Sequence, residues 1–461
     1  MTNPVVTKSG VPVGEAVIAE FESALHGGLL LPDSYGYDEA RKVWNRLVDK
    51  RPALIARCAD ADDVAHSVRF AREHELLVAV RGGGHNIAGN CVCDGGLMVD
   101  LSPMKGIRVD PERGTARAEP GLRLGEFDRA TQAHGLATTM GIASETGIAG
   151  LTLGGGYGWL GGRHGLACDN LLSVELVTAD GQFVTGSGSE NADLFWGVRG
   201  GGGNFGVVTS FEYRLHPVGK VLGGMVLYAP TAEAVRFFDE FSSMCPHEVS
   251  TVGLLTSAPD GSLAFAIVAC HCGSIEEGEK ALAPLRSFGP PIADMLEPRD
   301  YVQMQSITDE AWPPGNLYYW KSSLVRTLSE EAIEALLEHA ARKPTPLSVI
   351  YMQQLHGTAS RADAADTAFP HRFDHYNCGA MLETEDPADT EAGMQWAREC
   401  WEAMQPFAER SNYVNDLGEG EEEQRVREAY GPSFERLLEL KNKYDPTNFF
   451  HLNQNIVPTA Q

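Results

Sequence analysis

Basic charge is scarce in this chain. Its 461 residues carry 37 Lys and Arg against 63 Asp and Glu, a formal net charge of −26. A surface so poor in cations cannot neutralise phosphates, which excludes nucleic acid and an anionic membrane as partners. An apolar run of about 20 residues, the length a helix needs to cross a bilayer, is also missing. The first ten residues, Met1-Thr-Asn-Pro-Val-Val-Thr-Lys-Ser-Gly10, lack a charged segment leading into an apolar stretch, so no secretory leader is read. Nine cysteines are present, an odd number without the spacing of a disulfide framework, so reduced thiols are expected. Cys91-Val-Cys93 and Cys270-His-Cys272 each lack the second half of a zinc site, and no metal is expected.

Glycine is abundant instead, at 50 residues, and it clusters. The apolar run Leu76-Leu-Val-Ala-Val80 reads as a buried strand and delivers the chain into Arg81-Gly-Gly-Gly-His85-Asn-Ile-Ala-Gly89. Three glycines let backbone N–H groups converge on an anion such as a pyrophosphate. No Gly-Lys-Ser/Thr follows, so the loop is not a Walker A site, and its spacing is wrong for a Rossmann fingerprint. A second block, Gly141-Ile-Ala-Ser-Glu-Thr-Gly147-Ile-Ala-Gly150-Leu-Thr-Leu-Gly154-Gly-Gly-Tyr-Gly158, and a third, Arg199-Gly-Gly-Gly-Gly-Asn204-Phe-Gly-Val207, carry more glycine than regular elements tolerate. Backbone lying directly against a ligand explains such a composition.

Periodicity supplies the frame. Helices are expected at 14–27, 60–75 (capped by Asp60-Ala-Asp-Asp63) and 124–134, and strands at 52–57, 77–80, 96–101, 106–110, 115–121 and 174–181, with Asp180-Gly181 as a hairpin turn. After His216-Pro217 the texture changes. Strands are read at 221–228, 252–255, 263–270, 347–354 and 376–382, and helices at 232–243, 275–285, 330–341 and 390–404. The fold class is α+β, with the second part an antiparallel sheet carrying helices on one face.

The three glycine blocks in this order, with Ser411-Asn-Tyr413-Val-Asn415 and Asn453-Gln-Asn455 near the end, resemble the berberine-bridge-like branch of the FAD-linked oxidases related to vanillyl-alcohol oxidase. The likeness runs without a large gap from about 53 to 215 and returns at the C-terminus. It implies a two-lobed PCMH-type FAD-binding fold: an FAD-binding domain at 1–218, a substrate domain at 219–410, and a berberine-bridge-like segment at 411–461 returning to the FAD domain. It implies FAD joined covalently through His85. The implied cofactor contacts are Arg81, Gly82, Gly83, Gly84, Asn86, Gly89 and Gly121 from the first half of the lobe. Thr146, Gly147, Gly150, Gly154, Gly155, Tyr157, Asn204, Gly206 and Val207 follow, with Asn453 and Asn455 from the C-terminal segment.

Members with two links carry a cysteine where alignment on Gly147 places Ala143, so a single link is expected, as in enzymes similar to 6-hydroxy-D-nicotine oxidase. Ile148 lies near the family position that governs oxygen access. The expected reaction removes a hydride from a C–H next to an alcohol, sugar hydroxyl or amine, with O2 as acceptor. Oxidative ring closure, or a dehydrogenase using another acceptor, is the alternative. Tyr413 is the expected base, although a phenol near pKa 10 needs help to act as one. Gln353, His356, His371 and Tyr376, with Arg372 and Asn377 beside them, are candidate contacts to a small-molecule substrate. Because plant and fungal members are usually secreted, the missing leader points to a cytoplasmic bacterial type. The sequence leaves the substrate and the oligomeric state open.

Overall fold

The computed structural model describes residues 5–7 and 9–459. The chain opens with the helix Glu15–Ala24, three residues shorter at its end than the periodicity suggests, because extended Leu25 leads into β1 (Gly28–Leu30). β1 and β2 (Leu54–Arg57) pair antiparallel, while β3 (Val78–Arg81) and β4 (Leu97–Asp100) run parallel to β2, in the order β1-β2-β4-β3. The helix Ala61–Glu73 makes the crossover between β2 and β3. The Asp60 carboxylate accepts the Asp63 N–H at its start, as the acidic run predicts.

A second sheet follows. β5 (Ile107–Asp110) and β6 (Thr115–Ala118) precede the two-residue β7 (Leu136–Ala137). β8 (Leu171–Val177) and β9 (Phe183–Ser187) form the hairpin that Asp180-Gly181 announces, and β10 (Val207–Arg214) completes the antiparallel order β5-β6-β10-β8-β9. β11 (His216–Pro217) pairs back onto β7. The core on this sheet includes Phe127, Phe205, Phe211 and Tyr213, and also Tyr430, Leu437 and Leu440 from the helices Glu423–Tyr430 and Phe434–Tyr444. The C-terminal segment therefore returns to pack on the first half of the chain.

The remaining strands make one eight-stranded antiparallel sheet. β12 (Val221–Tyr228), β13 (Val249–Ser257) and β14 (Leu263–His271) come first, then the short β15 (Ala293–Asp294) and β16 (Glu297–Arg299). β17 (Leu317–Val325), β18 (Val349–Leu355) and β19 (His375–Thr384) follow, in the spatial order β13-β18-β19-β17. Helices 232–244, 275–287, 330–341 and 390–404 cover one face, where Val235, Phe238, Leu282, Ile333, Leu336 and Trp396 form the core. The opposite face turns toward the glycine blocks.

Periodicity misses β1, the eight-residue β10 and, in the large sheet, the nine-residue β17. The centre of β17, Lys321-Ser-Ser, interrupts an apolar run, yet each of the first two finds a partner in the returning C-terminus. Lys321 pairs with Glu421, and Ser322 donates to Asp416 at 3.0 Å. Among the described residues no helix is long and apolar enough to cross a membrane.

Candidate active site

The glycine blocks and the open face of the large sheet enclose a cavity of about 380 Å³. Gly82, Gly83, Gly84, His85 and Asn86 form one wall at the end of β3, where the chain must turn: Gly84 has φ +72°. Thr146, Gly147 and Gly150 face them. Gly83 and Gly147 are in direct backbone contact, since a Cβ on Gly83 would stand 2.4 Å from the Gly147 Cα. Gly206, Val207, Tyr157, Asn453, Gln353, Asn377 and Tyr413 complete the set of expected residues that line the space.

Seven expected cofactor contacts stand outside the lining, six of them for a packing reason. Arg81 turns away to donate to the Ala40 carbonyl. Gly89, at φ +68°, abuts Val48, and Gly121 abuts the Leu101 carbonyl. Gly154 packs on the Asn415 amide and Gly155 on the Phe369 ring. Asn204 is wholly committed to its neighbours: its Nδ2 donates to Gly201 O, Gln454 O and the Tyr430 hydroxyl, and its Oδ1 accepts the Ile456 N–H. Asn455 is absent from the lining, although its buried Oδ1 has no partner.

The substrate candidates divide by sheet geometry. Side chains alternate between faces along a strand. On β18, Tyr351 and Gln353 reach the cavity while Ile350 and Met352 join the helix-side core. On β19, Asn377 and Met381 reach the cavity while Tyr376, Cys378 and Ala380 do not. Tyr376 is thus corrected: it sits among the helices, its hydroxyl donating to Asp239 O at 3.4 Å, and its neighbour Asn377 takes the cavity position. His356 is also a structural residue, with Nε2 bonded to Val249 O at 2.6 Å. His371 donates from Nε2 to Asn412 O at 2.9 Å and accepts the Ser411 hydroxyl on Nδ1 at 3.0 Å; burial pushes its pKa down to about 3. Arg372 forks onto the Asp169 carboxylate at 2.6 and 2.8 Å and does not face the cavity.

Two features escaped the sequence reading. The first is Trp44. Its backbone N–H donates to Gly84 O, and its indole stacks on the His85 imidazole at 4.2 Å and on Tyr318 at 3.7 Å. Asn45 clamps the Tyr318 backbone from both sides, accepting its N–H at 3.0 Å and donating to its carbonyl at 2.9 Å. This short segment therefore fixes the histidine loop against β17. Burial against these walls lowers the His85 pKa to about 4, which keeps the imidazole neutral and a nitrogen lone pair available.

The second is Asp416, which immediately follows the Tyr413-Val-Asn415 run. Its Oδ2 accepts hydrogen bonds from Asn377 Nδ2 at 2.6 Å, Ser322 Oγ at 3.0 Å and the Tyr351 hydroxyl at 3.2 Å, and none of the three uses Oδ1. Burial raises its pKa above the ordinary carboxylate value, against the lowering effect of those bonds. Tyr413 lies beside it, its ring stacked on Tyr157 at 4.4 Å. The Tyr413 oxygen accepts the Gly156 N–H at 3.1 Å and Asn415 Nδ2 at 2.8 Å, yet burial still carries its pKa well above that of a free phenol.

A dinucleotide cofactor fits this cavity. One end offers glycine backbone that a Cβ would block, and the C-terminal segment adds the buried, unpartnered Oδ1 of Asn453 to the wall.

Comparison with known proteins agrees with that fit. The FAD binding domain family matches residues 52–187, and the berberine and berberine-like family matches residues 412–457. An FAD-linked oxidoreductase of Dictyostelium discoideum is 33% identical, covering 96% of this chain and 97% of its own. The (R)-6-hydroxynicotine oxidase of Paenarthrobacter nicotinovorans is 31% identical, covering 94% of this chain and 97% of its own. The crystal structure of 6-hydroxy-D-nicotine oxidase from Arthrobacter nicotinovorans superposes with a TM-score of 0.85 at 29% identity, covering 94% of this chain and 98% of that one.

Proposed function

This chain belongs to the FAD-linked oxidoreductases with a berberine-like C-terminal segment, and from that premise we propose that it is an oxidase. It removes a hydride from a substrate C–H next to a hydroxyl or an amine and uses O2 as final acceptor. The observation that carries the reading is the meeting, in one cavity, of the glycine cradle, neutral His85 and the buried Asp416 carboxyl. Residues 1–218 and 411–461 form the cofactor lobe in this reading, and 219–410 the substrate lobe. The nine free cysteines support a reducing, cytoplasmic setting.

Bound FAD supplies a two-electron acceptor for the hydride. The chain's own residues do the rest. Backbone N–H groups of the Gly82–Asn86 turn and the Asn453 amide hold the cofactor. His85 forms the single covalent bond to it, held in orientation by the Trp44 indole. A second link has no sulfur available at Ala143, which lines the cavity.

We assign the base to Asp416 rather than to Tyr413. Burial raises the Asp416 carboxyl above an ordinary carboxylate, which makes its deprotonated form a stronger base toward a substrate O–H or N–H, whereas a phenol raised further above 10 stays protonated. Tyr413 already receives two donors on its oxygen, so its own proton is free to donate to the substrate heteroatom. Gln353 and Asn377, side by side on β18 and β19, orient the substrate beneath it.

The test is peroxide release under air from a panel of alcohols, sugars and amines. Formation of H2O2 with stoichiometric carbonyl or imine supports the oxidase. A cyclised product would favour ring closure, and turnover only with an artificial acceptor would make the protein a dehydrogenase.

A further inference from the structure

We propose that Asp309 is a positioning residue for the cofactor: with Gln305 and Thr308 it clamps the 141–147 wall of the cavity at a fixed spacing from the His85 wall. The inference rests on the flavin reading above and deepens it. A cofactor bonded at His85 alone keeps rotation about that bond, so the facing wall must restrain it. Ile142, Ala143, Glu145, Thr146 and Gly147 form that wall. Residues 141–147 belong to no helix or strand, so no ladder of backbone bonds fixes them.

Three side chains of the substrate lobe reach across to do so, each on a different residue. Gln305 Nε2 donates to Gly141 O at 2.9 Å, and Thr308 Oγ1 donates to Ile142 O at 2.9 Å. Asp309 accepts the Ser144 N–H on Oδ1 at 2.9 Å and the Ser144 hydroxyl on Oδ2. Gln305 and Thr308 are buried, at 0% and 7% exposure. The FAD-binding side adds main-chain bonds at 2.9 Å, from Gly125 N–H to Ser144 O and from Leu124 N–H to Thr146 O. The pair Arg123–Glu145 also touches this loop, but its side chains are 41% and 39% exposed, a setting in which an ion pair contributes little.

Asp309 differs from its two companions. It holds one residue by two bonds, which fixes orientation as well as distance, and a charged acceptor makes the stronger bonds. Although it lines the cavity, both of its oxygens are engaged by Ser144.

The far end of the same segment meets the other wall. Trp312 N–H bonds back to Thr308 O at 3.2 Å, and the Trp312 carbonyl accepts Nε1 of Trp44 at 3.3 Å. Trp44 in turn stacks on His85. Residues 305–312 therefore tie the loop that restrains the cofactor to the loop that bonds it. Loosening the tie shifts the reacting atoms, and a displacement of about 1 Å costs on the order of 10²-fold in rate.

The test compares holoprotein variants by hydrogen exchange of a peptide covering 141–147, by visible circular dichroism of the bound flavin, and by kcat and KM. Asp309→Ala should speed exchange of that peptide severalfold and change the flavin dichroism. It should lower kcat about tenfold or more while KM moves less than about threefold. Asp309→Asn should recover most of these losses, since asparagine accepts the Ser144 N–H and donates to the hydroxyl. Ser144→Ala alone should speed exchange, and in the Asp309→Ala background it should add nothing, because the contact is already gone. Glu310→Ala, at the exposed neighbouring position, should behave as the parent.

Unchanged exchange at 141–147 in Asp309→Ala overturns the clamp, and if that variant does not fold, unchanged exchange in Ser144→Ala overturns it. A raised KM at unchanged kcat would make Asp309 a substrate contact instead. Asp309→Asn as impaired as Asp309→Ala would make its charge, and not its geometry, the property that matters. Either result overturns the inference. A parent that turns over no member of the substrate panel removes the oxidase reading, and exchange and dichroism still decide the clamp.

Discussion

Lys441→Met probes how the returning C-terminus holds the cavity. Lys441 and Asp445 face each other one turn apart on the helix Phe434–Tyr444 and its end, and both side chains are 0% exposed. The ammonium donates to Asp445 Oδ2 at 2.7 Å, Phe450 O at 2.8 Å and Asn204 O at 3.0 Å. The carboxylate in turn accepts the N–H groups of Phe449 and Phe450 at 2.7 and 2.9 Å. Methionine keeps the length of the side chain and its apolar packing. What it removes is the counter-charge of a buried carboxylate and the donor to two buried carbonyls. Breaking a buried pair from one side costs about 3–5 kcal/mol, a large part of the roughly 5–15 kcal/mol that keeps a domain folded. Guanidinium unfolding should register that loss. Flavin content should fall too, because Asn204 lies within Gly202–Val207 and Phe450 begins Phe450–Gln454, the two segments that close the cavity. Adding Asp445→Asn removes the orphaned charge, so the double variant should be more stable than Lys441→Met alone. A single variant within about 1 kcal/mol of the parent, or a double variant less stable than the single one, would refute the reasoning.

Asp416→Asn should lower kcat/KM by about 10²–10⁴-fold, the usual worth of a general base. In the parent, activity should fall as pH drops through a pKa above the ordinary carboxylate value, because burial raises Asp416 and only its deprotonated form accepts a proton; the variant should lack that acidic limb in a pH-rate profile. Gly83→Ala places a Cβ 2.4 Å from the Gly147 Cα and 2.5 Å from its nitrogen, so both loops must part and purified protein should carry much less flavin by absorbance. Tyr376→Phe should leave KM for any substrate unchanged and cost only about 1 kcal/mol in unfolding experiments, whereas Asn377→Ala should change turnover, because consecutive residues of β19 face opposite sides of the sheet.

What the sequence reveals and what it hides follow from range. Glycine blocks are legible because contiguous backbone lies against the cavity, and Asp180-Gly181 because a hairpin turn is local. The helices 330–341 and 390–404 end where the periodicity places them, since each has one face on one core. Register is different. Nothing in Tyr376-Asn377 says which of the two looks inward, because that depends on which face the helices cover. His356 and His371 read as site residues by type, but backbone carbonyls of β13 and the 411–412 segment claim them. Asp416 is one of 63 acidic residues, and only the meeting of its chain segment with β17, β18 and β19 marks it out. Trp44 is hidden for the same reason: its partners His85 and Tyr318 lie 41 and 274 positions away along the chain.

The central claim is that the cavity holds FAD bonded to His85. Acid precipitation of the purified protein, with flavin absorbance read in pellet and supernatant beside a His85→Ala variant, tests it most directly. Yellow retained in the parent pellet and released to the supernatant in the variant is the result the proposal predicts. Yellow released from both would contradict the covalent bond, and no flavin in either would contradict the site itself.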